Sequence, residues 1–143
     1  MNADLTRRAL LVALAGAIAV SGVAVAQDPR ASEVQKGARD WLALAHKLDG
    51  SATWKTAGKR FQAAMPEDRW MAQLRKAREA RGKLVQRTAA ATSFASQVPA
   101  IPDPGTYAMV RFRTSFANEP NAVEDVTLEQ TGAVWRVIGY VIR

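Results

Sequence analysis

Apolar residues recur every three or four positions between residues 32 and 82, which is the pattern of helices with one buried face. The pattern predicts three helices. Ser32 is suited to cap the first, Pro66 to open the third, and Gly82 to end it. The apolar stripes are Val34, Ala38, Trp41, Leu42, Ala45 and Leu48 in the first helix, Trp54, Ala57, Phe61 and Ala64 in the second, and Trp70, Leu74 and Ala77 in the third.

After Gly82 the apolar period changes from about 3.6 to 2, which predicts β-strands. The four predicted strands lie in the segments KLVQRTAAATSFA, TYAMVRFRTSFA, AVEDVTLEQ and AVWRVIGYVIR. In the second, Ala108, Val110, Phe112 and Phe116 share one face. In the third, Glu124 shares the inward face with Val126 and Leu128, while Asp125, Thr127 and Glu129 point outward and can pair with Arg111 and Arg113 of the second.

The last strand is apolar on both faces, since Trp135 and Val137 alternate with Ile138 and Tyr140. A strand of this kind is covered on both sides, or it lies between a layer of helices and a concave cleft. Gly139 interrupts both rows and indicates a bend or a bulge. We therefore expect the carboxyl terminus to be an interior strand of a curved sheet.

These elements predict an α+β fold, with three N-terminal helices packed on one face of a curved four-stranded antiparallel sheet. Residues 32–143 form the single domain, and residues 27–31 form a flexible lead. One domain is what a chain of 143 residues allows.

Residues 1–26 have the features of a signal peptide that precedes this domain. A charged start is followed by an apolar run and by small residues at Ala24 and Ala26, so we expect cleavage near Ala26 and a periplasmic or secreted protein. Arg7 and Arg8 leave both the general secretory and the twin-arginine route open. The sequence contains no cysteine, which excludes a lipoprotein, a disulfide framework and a thiol nucleophile.

The charge of the chain is +7, and without Asp4, Arg7 and Arg8 it is +6 from 18 basic and 12 acidic residues. In an exported protein this balance disfavours nucleic acid as a partner. It is consistent with contact to anionic envelope surfaces, or with a charge that serves solubility alone. One basic run offers a weak contact of this kind, and it comprises Arg75, Lys76, Arg78, Arg81 and Lys83.

Two stretches that cover nearly all of the exported chain resemble the bacterial domain of unknown function numbered 4019. The resemblance rests on Leu48, Asp49, Trp54, Phe61, Trp70, Arg78, Gly82, Arg87, Pro102, Gly105, Tyr107, Phe116, Glu124, Trp135, Gly139 and Tyr140. It implies an exported or membrane-linked bacterial domain and brings no catalytic residues. The order of elements is also similar to cystatin-like and nuclear-transport-factor-2-like cones, which is an analogy of fold.

Few residues are candidates for a site. Glu124 on a core face needs a partner, which Arg78 or Arg87 could supply, so we expect Glu124→Gln to lower thermal stability. Tyr107 and Tyr140 could donate hydrogen bonds in a cone pocket. His46, the only histidine, could pair with Asp49 as an acid–base group, but it cannot build a histidine–cysteine zinc site.

The sequence predicts no catalytic, metal or cofactor site. The first hypothesis is a non-enzymatic module that binds an envelope ligand or protein. The alternatives are a small-molecule enzyme that uses His46, Asp49, Glu124 or a tyrosine in a cone pocket, and an electrostatic binder of anionic envelope surfaces.

Overall fold

The computed structural model describes residues 28–143. The predicted signal peptide and its cleavage site lie outside the described residues. The helices are α1 (Arg30–His46), α2 (Gly50–Thr56), α3 (Lys59–Ala64) and α4 (Glu67–Arg81), and the strands are β1 (Leu84–Ala95), β2 (Tyr107–Phe116), β3 (Glu119–Thr131) and β4 (Val134–Ile142). The predicted α+β fold class is confirmed.

The helical half differs from the prediction in two places. Helix α1 begins at Arg30 with Pro29 at its N-cap, so Ser32 is not the cap and the end of the predicted lead is helical. The predicted second helix is two short helices, because the chain is extended at Ala57 and Gly58. There the Gly58 N–H donates to the Val137 carbonyl at 2.7 Å, and this close approach of the backbone to β4 interrupts the helix.

The four strands form one antiparallel sheet in the order β1-β2-β3-β4, as expected for a meander. Strand β4 is therefore an edge strand, and the prediction that it lies in the interior of the sheet is wrong. Its register explains the sequence pattern. Thr127 pairs with Gly139 and Leu128 with Val137, which leaves Ile138 as the extra residue of a bulge.

The bulge reverses which residues of β4 face the helices. Trp135 and Val137 before it and Tyr140 after it all pack against the same core. Val141, in contrast, is 53% exposed on the other face. The apolar residues on both sides of Gly139 thus belong to one buried face, and the strand is not covered on both sides.

The helices cover one face of the sheet, and apolar side chains fill the space between them. Their shared core includes Val34, Trp41, Leu42, Phe61, Trp70, Leu74, Val110, Phe112, Val126 and Leu128. The opposite face carries the ion pair between Arg111 and Asp125, which lie directly across β2 and β3 as predicted. Within residues 28–143, no helix is long and apolar enough to span a membrane.

Candidate functional site

Glu124 is the centre of a buried polar cluster between the sheet and the helices. Its side chain is 0% exposed, and both carboxylate oxygens accept two hydrogen bonds. Oε2 accepts from Arg87 Nε at 2.6 Å and from Thr114 Oγ1 at 2.6 Å. Oε1 accepts from Arg87 Nη2 at 3.0 Å and from Tyr140 Oη at 2.6 Å. The carboxylate is therefore fully bonded within the fold.

Strand register brings these side chains together. Arg87 on β1 lies opposite Thr114 on β2. Tyr140 on β4 lies opposite Val126 on β3, which puts it diagonally across from Glu124 on the same face. The bulge in β4 is necessary for this contact, because without it Tyr140 would point to the outer face.

Burial and hydrogen bonding shift the pKa values of Glu124 and Tyr140 in opposite directions. Burial alone would raise the pKa of Glu124, but the hydrogen bonds and charge of Arg87, with help from Thr114 and Tyr140, outweigh it and lower this pKa. Burial raises the pKa of Tyr140 far above its usual value, and the charge of Glu124 adds to the effect. Glu124 therefore stays ionised at neutral pH, and Tyr140 keeps its proton.

Arg78 lies beside this cluster and connects it to the surface. It is on α4, is only 7% exposed, and holds its guanidinium 4.7 Å from the ring centre of Phe116. Its Nη2 lies 2.5 Å from Nδ1 of His46 at the exposed end of α1. Burial lowers the pKa of Arg78, and burial together with the charge of Arg78 lowers that of His46.

Within residues 28–143, His46 and Asp49 do not form the hydrogen-bonded pair that was considered for acid–base chemistry. Asp49 instead caps α2, where its side chain accepts from the backbone N–H of Ala52 at 3.0 Å. His46 contacts Arg78 on α4. The two candidates for acid–base chemistry therefore have different partners.

Aromatic side chains close the cluster on the helix side. The Tyr140 ring lies 5.5 Å from that of Trp41 and 6.4 Å from that of Trp70. Both indoles are fixed by Thr53, since Trp41 Nε1 donates to its carbonyl at 3.0 Å and Trp70 Nε1 to its hydroxyl at 2.8 Å. No space for a ligand separates Tyr140 from these rings.

Tyr107 does not belong to the cluster. It lies on the far side of the sheet, opposite Glu129, and its hydroxyl donates to the Asp103 carbonyl at 2.8 Å. The loop between β1 and β2 buries it. Of the five candidate residues, the structure joins three by hydrogen bonds, namely Arg87, Glu124 and Tyr140. Arg78 contacts His46 and Phe116 instead, and among the described residues its buried Nε has no hydrogen-bond partner.

Thr114 is the member of the cluster that the sequence analysis missed. The signal was present, because Thr114 falls between Phe112 and Phe116 in the row of residues that alternate toward the core. A threonine in such a row needs a hydrogen-bond partner, and Glu124 was available on the neighbouring strand.

Several depressions of the described domain are open to solvent, and Glu124 lines none of them. Two of them have volumes of about 600 Å³ and about 570 Å³. The first lies at the β2–β3 end of the outer sheet face and contains Arg113. The second lies between the α2–α3 turn and the β3–β4 hairpin. Within residues 28–143, no three histidine or acidic side chains come close enough to hold a metal ion.

The basic run on α4 is only partly available at the surface. Arg78 points inward, and Arg81 lies 2.6 Å from a carboxylate oxygen of Glu119. The exposed cations of the run are Arg75, Lys76 and Lys83.

The arrangement described so far defines an α+β domain with a closed, fully bonded ion-pair cluster. Residues 37–140 match the family described as "Protein of unknown function (DUF4019)". This match covers well over half of the 143 residues, and the chain belongs to that family. Comparison with curated proteins and with solved structures gave no match.

Proposed function

We propose that this protein is a module exported to the cell envelope that binds a partner there without catalysing a reaction. The observation that carries the proposal is the complete hydrogen bonding of Glu124 at 0% exposure. The residues that would supply an acid–base pocket in a cone-shaped enzyme are used here to hold the sheet together. The working surface is therefore outside the helix–sheet interior.

The direction of the pKa shifts supports the same proposal. A general acid or base works best when its pKa lies near the working pH. The pKa of Glu124 is lowered and that of Tyr140 is raised, so both groups are moved away from neutral pH and toward fixed protonation. Such shifts are typical of a structural ion pair.

The positive charge favours an anionic partner. The exported chain carries +6, and half of its acidic side chains are already paired with arginine. Anionic lipids and polymers of the envelope are natural counter-charges. The alternative of an electrostatic binder is restricted to the exposed residues Arg75, Lys76 and Lys83, which would add weak attraction to an anionic surface.

The test is to incubate the purified protein with isolated peptidoglycan and with vesicles of phosphatidylglycerol and phosphatidylethanolamine. We expect saturable, salt-sensitive binding to at least one material, and mass spectrometry should recover that material unchanged. Absence of saturable binding would argue against a binding module. Chemical turnover that disappears in a folded Glu124→Gln variant would overturn the proposal in favour of the enzyme.

A further inference from the structure

We propose that the depression between the α2–α3 turn and the β3–β4 hairpin binds a phosphomonoester carried on a polar body such as a sugar. We call this depression the basic cleft, and it is lined by Lys55, Ala57, Gly58, Lys59, Arg60, Gln62, Glu129, Thr131 and Arg136. The inference deepens the proposed binding function and rests on it. It assigns that function a place and a class of ligand.

The first argument is charge. Four of the residues that line the basic cleft are cations and one is an acid. Arg60 already neutralises Glu129, with its Nε 3.2 Å and 3.1 Å from the two carboxylate oxygens. Within residues 28–143, no acidic side chain lies within 4.0 Å of the charged nitrogens of Lys55, Lys59 or Arg136. Arg60 also pairs with Asp103, so the four cations and these two acids leave a net charge of +2 at the cleft. Arg136 Nη1 lies 3.4 Å from the Thr56 carbonyl oxygen, which is an uncharged partner.

The second argument is rigidity. The Gly58 N–H donates to the Val137 carbonyl at 2.7 Å, which fixes the α2–α3 turn against β4. A side chain at Gly58 would lie 2.8 Å from Ile138 Cγ2 and 3.3 Å from Arg136 Cβ, so only glycine allows this approach. Arg60 adds a second tie through its Nη2, which lies 2.9 Å from Asp103. The cations of the cleft are thus carried on a backbone that is held in place before a ligand arrives.

The third argument is the match of chemistry and size. A doubly charged phosphate offers several acceptor oxygens, which suit one guanidinium and two ammonium groups better than a single carboxylate does. A volume of about 570 Å³ exceeds that of inorganic phosphate and falls in the range of sites that hold small organic ligands. Thr131 and Gln62 provide polar groups beside the cations for the rest of the ligand.

The test is a titration of the isotope-labelled protein, followed through its backbone amide signals, with glucose 6-phosphate, inorganic phosphate and glucose. We expect glucose 6-phosphate to shift the amides of Gly58, Lys59 and Arg136. The double variant Lys59→Gln/Arg136→Gln should weaken this binding by about tenfold or more, because charge-assisted hydrogen bonds are lost. The matched control is Lys47→Gln, an exposed lysine just after α1 that lies outside the cleft lining and outside the basic run, and it should leave the affinity unchanged.

A second arm uses vesicles of phosphatidylcholine that contain phosphatidic acid, whose headgroup is also a phosphomonoester. Vesicle binding that requires Lys59 and Arg136 but not Lys47, without a response to the sugar phosphate, would support the same chemistry from a lipid source. Melting curves of each variant ensure that a loss of binding is not a loss of folding.

Three results would overturn the inference: equal binding of glucose, equal weakening by Lys47→Gln, or no response to either phosphomonoester. In the last case, saturable binding of envelope material would show that the proposed function stands and that only the basic cleft was wrongly assigned. Conversely, catalytic turnover by the protein would remove the proposed function, while amide shifts confined to the basic cleft would still report the anion site.

Discussion

The clearest prediction concerns Glu124→Gln. Arg87 donates to both carboxylate oxygens of Glu124, so the amide nitrogen of a glutamine meets an Arg87 N–H in either orientation. The hydroxyls of Thr114 and Tyr140 can rotate to accept from the amide, but the guanidinium cannot accept. The substitution therefore leaves a nearly buried cation without its counter-charge, because Arg87 is only 11% exposed.

Removing one partner of a buried ion pair costs about 3–5 kcal/mol, and we expect the lower end because Arg87 retains some contact with water. A domain of this size has about 5–15 kcal/mol of stability, so the variant should still fold at room temperature. The expected fall in Tm is roughly 10–15 °C. The matched control is Glu79→Gln on the exposed side of α4, which should change the free energy of unfolding by less than about 0.5 kcal/mol.

Urea unfolding at several pH values is the assay. The pKa of folded Glu124 is lowered, so its contribution is fully present above the unfolded value near pH 4.3 and is lost as pH falls through the folded value. The gap between wild type and Glu124→Gln should therefore be constant near neutral pH and narrow below about pH 4. The reasoning is refuted if Glu124→Gln and Glu79→Gln unfold at the same urea concentration, or if adding Arg87→Met to Glu124→Gln recovers none of the loss.

Three further predictions use the same unfolding assay. Burial and the charge of Arg78 lower the pKa of His46, so wild type should lose stability as pH falls below about 6.5. His46→Gln should remove this pH dependence. If the variant and wild type show the same dependence, the assigned contact between His46 and Arg78 is contradicted. Gly82→Ala should destabilise by about 1–3 kcal/mol because φ is +76°, and a neutral result would refute this strain. Gly58→Ala should cost about 1–3 kcal/mol through its clash with β4, whereas Gly37→Ala, with 3.9 Å of clearance in α1, should be neutral or stabilising; equal effects would contradict the close approach.

The parts of the fold that depend on residue period were predictable from the sequence. The row containing Val126 and Leu128 placed Glu124 on the core face, and the need to compensate a buried charge pointed to an arginine. Gly82 was identifiable as the end of a helix because its left-handed φ is one that glycine readily adopts. In both cases the local sequence pattern and the tertiary structure favour the same type of residue.

The parts that depend on contacts between distant segments were not predictable. Nothing near Gly58 in the sequence shows that Val137 will accept its N–H, so one helix was expected where two short ones form. The choice between Arg78 and Arg87 as the partner of Glu124 also depends on strand register, which pairs Arg87 with Thr114. Tyr107 was a candidate donor only through the analogy with cone-shaped folds, which does not distinguish it from Tyr140.

The bulge at Ile138 divides β4 into two stretches that contact different parts of the fold. Before it, Val137 and its neighbours hold the α2–α3 turn and hence one wall of the basic cleft. After it, Tyr140 completes the shell around Glu124. A substitution in one stretch therefore need not alter the contacts of the other. Deleting Ile138 would turn Tyr140 away from Glu124, while the wall of the basic cleft formed by the preceding residues would be retained.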